Sequence, residues 1–168
     1  MEYVFRKAVA ADICDIMTII DEARAQMILE GKHQWDESYP TSAHIEADIR
    51  NDNAYVLLCD GRIVACGAVV YTGEPAYADI QGKWLTQQPY VVVHRLAVEM
   101  KSRKRGIGTV FIKEVERLSL AKGIHSFKAD TNDDNERMQR LFKKLGFTYC
   151  GKIFFQQGYR MAYEKLLK

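Results

Sequence analysis

The chain has 168 residues, 48% of them hydrophobic and 27% charged, with a net charge of +2, which predicts one globular domain over residues 1–168. The small net charge argues against a nucleic-acid surface, and no apolar run approaches the roughly 20 residues of a membrane span. We therefore expect neither nucleic acid nor membrane as a partner. Because no apolar stretch of signal-peptide type follows the N-terminus, we also expect a cytoplasmic protein.

The first half of the chain alternates between β-type and helical patterns. Gly31 follows a helical repeat of apolar residues, at a place where a helix end favours left-handed backbone. Asp60 and Gly61 separate two apolar runs and favour the tight turn of a hairpin. In chain order we predict a strand at residues 3–9, a helix from Ile13 that ends before Gly31, a short helix after Thr41, strands at residues 54–59 and 63–71, and an irregular insertion at residues 72–88.

The second half continues without a linker or an internal repeat. Asp133 followed by Glu136 is typical of a capped helix start. We predict a strand at residues 90–98, a helix at residues 109–122, a strand at residues 125–130, a helix at residues 133–145, and strands at residues 148–155 and 159–167 that turn at Gln157 and Gly158. The total of about seven strands and four helices predicts a mixed α/β sheet with helices on both faces.

The four cysteines are scattered through apolar stretches and show no Cys-x-x-Cys spacing. They are Cys14, Cys59, Cys66 and Cys150. This distribution predicts buried, reduced thiols rather than disulfides or zinc ligands, and we expect no metal site.

A basic, glycine-containing stretch joins the strand at residues 90–98 to the following helix. Glycine permits a tight turn and a close approach of ligand to backbone, and the helix directs unpaired N–H groups toward whatever lies before it. The alternative interpretation is a solvated turn before a surface helix. The stretch comprises Arg103, Lys104, Arg105, Gly106, Ile107 and Gly108, and the helix is predicted to begin at Thr109.

The Arg-x-x-Gly-x-Gly pattern after Leu96, Ala97 and Val98 resembles the acyl-CoA-binding motif of the GNAT (Gcn5-related N-acetyltransferase) superfamily. The helix that ends at Gly146 and Phe147 is similar to the second cofactor motif of that family. The opening residues, which include Phe5, Arg6, Lys7, Ala8 and Asp12, look like its first strand and helix. The resemblance therefore covers essentially the whole chain.

The resemblance implies a mixed, mostly antiparallel seven-stranded sheet flanked by about four helices, with splayed central strands. It also implies an acetyl-CoA-dependent N-acetyltransferase that acts on a primary amine of a small molecule or a peptide, and it leaves a homodimer open. Leu96, Ala97 and Val98 would hold the pantetheine arm through their backbone. Residues 103–109 would hold the phosphates, and one helix face would add Asn135, Met138 and Phe142. For these three, a helix cap and core packing are the alternatives.

Phe142 departs from the family, which commonly has a tyrosine in this register near the leaving thiolate. Phenylalanine donates no proton, so water or Tyr149 would have to supply it. The alternative is a non-catalytic acyl-CoA-binding or sensor domain. A second alternative is a small nucleic-acid-binding protein that uses the basic loop.

His94 is the candidate base, because it precedes the strand residues that would hold the thioester and imidazole titrates near neutral pH. In the arylalkylamine N-acetyltransferase branch a histidine stands at the equivalent place. A structural histidine is the alternative, and Glu99 is the second candidate base. Asp130 is interpreted as a residue that caps a strand-to-helix turn.

Aromatic and acidic residues suggest where a cationic acceptor would bind. The candidates are Trp35, Tyr39, Trp84 and Tyr90, and Arg95 would suit an acceptor that also carries a carboxylate. Ordinary loop packing around the two tryptophans is the alternative.

Overall fold

The computed structural model describes residues 1–155 and 158–168. The residues form two compact units, Met1–Val69 with His94–Glu114, and Val70–Val93 with Val115–Lys168. The predicted turn at Gln157 lies outside the described residues, and one domain over residues 1–168 stays a prediction. The described elements are β1 (Tyr3–Lys7), α1 (Ile13–Leu29), α2 (Ser42–Arg50), β2 (Ala54–Cys59), β3 (Arg62–Val70), β4 (Gln81–Gly82), β5 (Val91–Val98), α3 (Ile107–Ala121), β6 (Ser126–Asn132), α4 (Glu136–Lys144), β7 (Thr148–Phe155) and β8 (Gly158–Leu166).

In the first unit β2 pairs antiparallel with β1 on one side and with β3 on the other. Asp60 and Gly61 have φ angles of 51° and 82°, so the predicted hairpin turn is confirmed. The core lies between these strands and α1, whose Ile16, Ile20 and Ala23 recur at helical spacing and are buried.

An ion pair between a partly exposed arginine and a buried aspartate joins β1 to the turn before α1. Arg6 donates to both carboxylate oxygens of Asp12, at 2.8 and 3.0 Å, and the backbone N–H of Val9 donates to the same carboxylate at 2.8 Å. The hydrogen bond from Arg6 holds the pKa of Asp12 below its usual value, against the opposing effect of burial. Asp12 thus serves the fold of this unit.

The strand order in the second unit is β5-β6-β8-β7-β4, where β5 contributes only its amino end, up to Val93. β5 and β6 pair in parallel at Val91↔Phe127 and Val92↔Lys128, and the other pairings are antiparallel. This short ladder at the amino end of β5 agrees with the predicted splay. An aromatic cluster of Phe127, Phe142, Phe147 and Tyr163 packs with ring centroids 5.1 Å apart.

A buried carboxylate attaches the insertion before β5 to β8. Glu164 is 0% exposed. It accepts hydrogen bonds from the backbone of Leu85 at 2.8 Å and from the hydroxyls of Thr86 at 2.6 Å and Ser126 at 2.8 Å. These bonds satisfy a charge that would otherwise be costly to bury.

The mixed, mostly antiparallel fold with four helices is confirmed, and the structure adds an eighth strand within the described residues. The additional strand is β4, a two-residue piece that a periodicity argument is too coarse to detect. α4 begins at Glu136 rather than residue 133, because Asn135 and not Asp133 is the N-cap. α3 begins two residues earlier than predicted, at Ile107.

Gly82 and Gly151 bring β4 and β7 closer than any side chain allows. A Cβ atom on Gly151 would lie 2.3 Å from the carbonyl oxygen of Gln81, and one on Gly82 would lie 2.2 Å from that of Cys150. Both residues have a φ near 140°, a conformation that essentially only glycine adopts.

We therefore expect Gly151→Ala to lower the free energy of unfolding by about 2–5 kcal/mol, through backbone strain and a steric clash. Denaturant titration measures the change. Gly123→Ala is the control, because Gly123 also has a positive φ of 75° but has open space around it. It should cost about 1 kcal/mol, and an equal loss in both variants would contradict the role of the close approach.

All four cysteines are free, but Cys14 is exposed on α1, so the prediction of burial is wrong for this thiol. Burial does hold for Cys66 and raises its pKa to about 12. Among the described residues no group of three metal-ligating side chains comes together. No helix in the described part of the chain has the length and apolar character to span a membrane.

Candidate functional site

The predicted phosphate loop has two residues with left-handed backbone immediately before α3. Lys104 and Gly106 have φ angles of 66° and 75°, and the backbone N–H of Val110 donates to the carbonyl of Gly106 at 3.0 Å. Ile107, the first residue of α3, is 3% exposed and anchors the loop. The backbone N–H groups of the first turn of α3 are left without intrahelical partners, as at every helix start. The loop therefore has the local geometry of an anion-binding turn.

A short 3-10 turn at Met100–Ser102 precedes this loop. Ser102 is buried and donates its hydroxyl to a carboxylate oxygen of Glu99 at 2.7 Å. Glu99 also accepts from Arg62 and lies 3.8 Å from the ammonium of Lys101. Burial raises the pKa of Glu99, but the hydrogen bonds from Arg62 and Ser102 outweigh it, so the pKa lies below its usual value. A carboxylate held ionised by ion pairs is a weak base, which favours His94.

His94 lies half-buried on β5, in the first unit. The next residue, Arg95, has a φ of 55° although it is not glycine. A left-handed residue of this kind costs about 1–2 kcal/mol and changes the direction of the strand that follows. Leu96, Ala97 and Val98 come directly after this irregularity.

Arg95 does not have a free guanidinium for an acceptor carboxylate. Its Nε and a terminal nitrogen donate to the two carboxylate oxygens of Asp48 at 2.8 and 2.6 Å, and the other nitrogen donates to the hydroxyl of Tyr39 at 3.0 Å. Burial lowers the pKa of Arg95, but the bonds to Asp48 more than compensate and raise it. The structure therefore shows Arg95 in an internal ion pair, as a buried guanidinium requires, and contact between Arg95 and an acceptor stays a prediction.

The predicted acceptor residues of the first unit lie in well-packed surroundings. Trp35 is 4% exposed and belongs to the core cluster, and Tyr39 packs its ring edge-on against His44 at 4.8 Å. Asp36 accepts from the backbone and hydroxyl of Ser38 at 2.8 and 2.6 Å, which lowers its pKa. These observations match the loop-packing alternative, and acceptor contacts at Trp35 and Tyr39 stay predictions.

The second unit contains the other predicted cofactor residues. Asn135 accepts the backbone N–H of Met138 at 3.2 Å through its side-chain oxygen and so caps α4. Met138 is half-buried, and Phe142 is 4% exposed within the aromatic cluster. Tyr149 is exposed, and its hydroxyl lies 4.0 Å from the sulfur of Met161. The contacts with a cofactor stay predictions.

The sequence reasoning missed a buried polar cluster beneath the insertion of the second unit. The ammonium of Lys128 lies 4.4 Å from the ring centroids of both Trp84 and Tyr90, and burial lowers its pKa. Tyr77 donates its hydroxyl to Asp130 at 2.5 Å. The sequence did contain one signal for this cluster. Lys128 and Asp130 are charged residues at alternate positions of β6, and such residues share one face of a strand.

Asp130 corrects one interpretation. It lies inside β6, not at a turn, and its carboxylate accepts from Tyr77 and, at 3.2 Å, from Arg160. The predicted strand ended at residue 130, whereas β6 continues to Asn132. The side chain of Asp130 is 3% exposed, so this residue is part of the packed interior of the second unit.

Comparisons with known proteins bear on these observations. The family model for the acetyltransferase (GNAT) family matches residues 17–147. No curated protein sequence matches this chain. A GNAT acetyltransferase structure from Streptococcus agalactiae is 35% identical, with 99% of this chain and 96% of that chain covered and a TM-score of 0.91.

Two more distant structures show the same fold. A GNAT acetyltransferase from Listeria monocytogenes is 18% identical, with 99% and 96% of the two chains covered and a TM-score of 0.79. The yncA protein of Salmonella typhimurium, solved with its cofactor acetyl-CoA, is 16% identical, with 99% and 94% covered and a TM-score of 0.71. These findings confirm the predicted resemblance, the N-acetyltransferase class and acetyl-CoA as the cofactor. Because the family model matches most of the sequence, the chain belongs to the acetyltransferase (GNAT) family.

Proposed function

We propose that this protein transfers the acetyl group of acetyl-CoA to a primary amine of a small molecule or a peptide. The observation that carries the proposal is the turn at Lys104 and Gly106, which leads directly into α3. Unpaired N–H groups and the positive end of the helix dipole favour a phosphate at such a place. The basic side chains of Arg103, Lys104 and Arg105 add to this attraction.

We assign the other parts of acetyl-CoA to backbone and side-chain groups of named residues. We assign the pyrophosphate to the backbone of Ile107, Gly108 and Thr109, and the pantetheine amides to the backbone of Leu96, Ala97 and Val98. Because the side-chain oxygen of Asn135 caps α4, its amide nitrogen is the group that would donate to the pantetheine. Met138 and Phe142 would contribute apolar surface.

His94 is assigned the role of base. Bound acetyl-CoA supplies a thioester carbonyl that an uncharged amine attacks. An ammonium acceptor must first lose a proton, and a histidine beside the strand that holds the thioester is suited to accept it, directly or through water. Phe142 has no hydroxyl and Tyr149 is exposed, so we assign protonation of the leaving thiolate to water.

The alternative function is a non-catalytic acyl-CoA-binding or sensor domain, which Phe142 favours. Thiol release by the purified protein, measured over a panel of primary amines, distinguishes the two. Acetyl-CoA-dependent thiol release that requires an amine supports transfer. Calorimetric binding of acetyl-CoA without thiol release from any amine or amine-bearing peptide would favour the sensor. Contacts of the acceptor with Trp84, Tyr90 and the other predicted residues, a cytoplasmic location and a homodimer stay predictions.

We expect Phe142→Tyr to raise kcat, most visibly at high pH, where solvent protons are scarce and a phenol near the thiolate would help. Stopped-flow or steady-state rates between neutral and alkaline pH measure the effect. Phe147→Tyr is the control, because it adds a hydroxyl to the same aromatic cluster at another position. Equal rates in wild type and Phe142→Tyr would show that thiolate protonation by water is not limiting, or that product release is slower than chemistry.

A further inference from the structure

The backbone of β5 is irregular at one residue. Arg95 has a φ of 55° inside the strand. An L-residue with this conformation persists only where its surroundings determine it. If Arg95 returned to extended backbone, the alternation of the residues after it would shift, and their N–H and C=O groups would face other directions.

The surroundings that hold Arg95 are two residues that precede β2 in the sequence. Asp48, on α2, accepts two hydrogen bonds at 2.6 and 2.8 Å, and Tyr39 accepts a third at 3.0 Å. The side chains of Arg95 and Asp48 are 16% and 10% exposed. Such a bidentate pair fixes both position and orientation of the guanidinium, because the planar fork matches the carboxylate.

The end of the same strand segment is fixed separately. The backbone N–H of Glu99 donates to the carbonyl of Val64 on β3 at 2.8 Å. Leu96, Ala97 and Val98 therefore lie between two fixed points, the Arg95 side chain and the Glu99 backbone. These are the three residues whose backbone the proposed function assigns to the acyl donor.

We propose that Asp48 is a positioning residue for acetyl transfer, which acts through Arg95 to hold the backbone of Leu96, Ala97 and Val98 in the direction that receives the thioester. Tyr39 assists through its hydrogen bond to Arg95. The inference rests on the proposed function. It also assigns Arg95 a role other than contact with an acceptor carboxylate.

The first test compares two similar ion pairs of the first unit. Asp48→Asn is expected to lower kcat by about 10–100-fold, since a misdirection of about 1 Å at a reacting group has effects of this size. Asp12→Asn is the matched control, because Asp12 is also buried and holds Arg6 with two hydrogen bonds, but has no contact with β5 among its hydrogen bonds. It should lower the melting temperature by less than Asp48→Asn, because Arg6 is 38% exposed and Arg95 only 16%, and should keep kcat within a few-fold of wild type. Equal kcat losses in the two variants would overturn the inference.

The second test distinguishes the effect on kcat of the backbone conformation at residue 95 from the effect of losing the ion pair with Asp48. Arg95→Ala and Arg95→Gly both leave Asp48 without its partner, but only glycine adopts a φ near 55° without steric cost. We expect Arg95→Gly to keep at least several-fold more kcat than Arg95→Ala and to be no less stable, because alanine incurs the steric cost of the left-handed backbone. If Arg95 only stabilises the fold or binds an acceptor, Arg95→Gly will be no better than Arg95→Ala.

A binding measurement tests the role of Asp48 even if the protein does not transfer acetyl groups. Wild type without any thiol release would refute acetyl transfer but not the role of Asp48 in positioning the donor site. Calorimetry then compares acetyl-CoA with coenzyme A, which lacks the acyl carbonyl. Asp48→Asn should lose affinity for acetyl-CoA while its affinity for coenzyme A changes little. An unchanged ratio of the two affinities, together with an unchanged kcat wherever wild type is active, would overturn the inference.

Discussion

His94→Gln is expected to lower kcat by about 10²–10⁴-fold and to leave affinity for coenzyme A nearly unchanged, because only the proton-transfer step loses its base. The pH–rate profile should also lose its acidic limb, which reports protonation of an essential base. Steady-state kinetics over a pH series, with calorimetry of coenzyme A binding, measure both effects.

His125→Gln provides the control for this substitution. His125 is exposed and its Nδ1 lies 3.2 Å from the carbonyl of Leu167, and neither residue is assigned to the site. This variant should keep both kcat and the acidic limb. A His94→Gln enzyme that behaves in the same way would make His94 a structural residue and direct attention to a water chain, because Glu99 is held ionised by Arg62 and Ser102.

Gly106→Val is expected to weaken coenzyme A binding by several kcal/mol, or about 10²–10³-fold, because a β-branched residue resists the left-handed backbone that forms the phosphate loop. Gly108→Val should have a comparable effect through its bulk in the first turn of α3. Calorimetric titration with coenzyme A measures the loss. Arg103→Ala should cost less, with a deficit that shrinks at high salt.

Gly123→Val isolates the contribution of backbone strain. Gly106 and Gly123 share a φ of 75°, and a Cβ atom on either would have no neighbour within 4 Å. The two valine variants should therefore lose similar stability. Only Gly106→Val should lose affinity for coenzyme A, and normal affinity in folded Gly106→Val and Gly108→Val proteins would refute the phosphate assignment.

Local features were the part of the fold that sequence reasoning predicted well. The hairpin at Asp60 and Gly61, the helix end at Gly31 and the loop before α3 all depend on backbone preferences of a few adjacent residues. The start of α4 was placed too early because Asp133 and Asn135 are both good N-caps, and sequence alone does not rank them.

The long-range polar contacts were the part that sequence reasoning missed. Arg95 and Asp48 are 47 positions apart, and nothing in either local pattern indicates that they form an ion pair. Tyr77 and Asp130 are 53 positions apart and present the same difficulty. Such pairs depend on which elements become neighbours, so the sequence suggested a contact between Arg95 and an acceptor carboxylate but did not indicate its ion pair with Asp48.

The carboxylate of Glu164 has a consequence for how this fold can vary. Its donors come largely from the insertion, at Leu85 and Thr86, while the acid itself belongs to β8. Shortening the insertion would therefore leave the buried carboxyl group of Glu164 with the hydroxyl of Ser126 but without its donors at Leu85 and Thr86, although the deleted residues lie far away in sequence. A related chain with a shorter connection at this place needs a neutral residue at the position of Glu164, so the length of one segment and the charge of another are free to change only together.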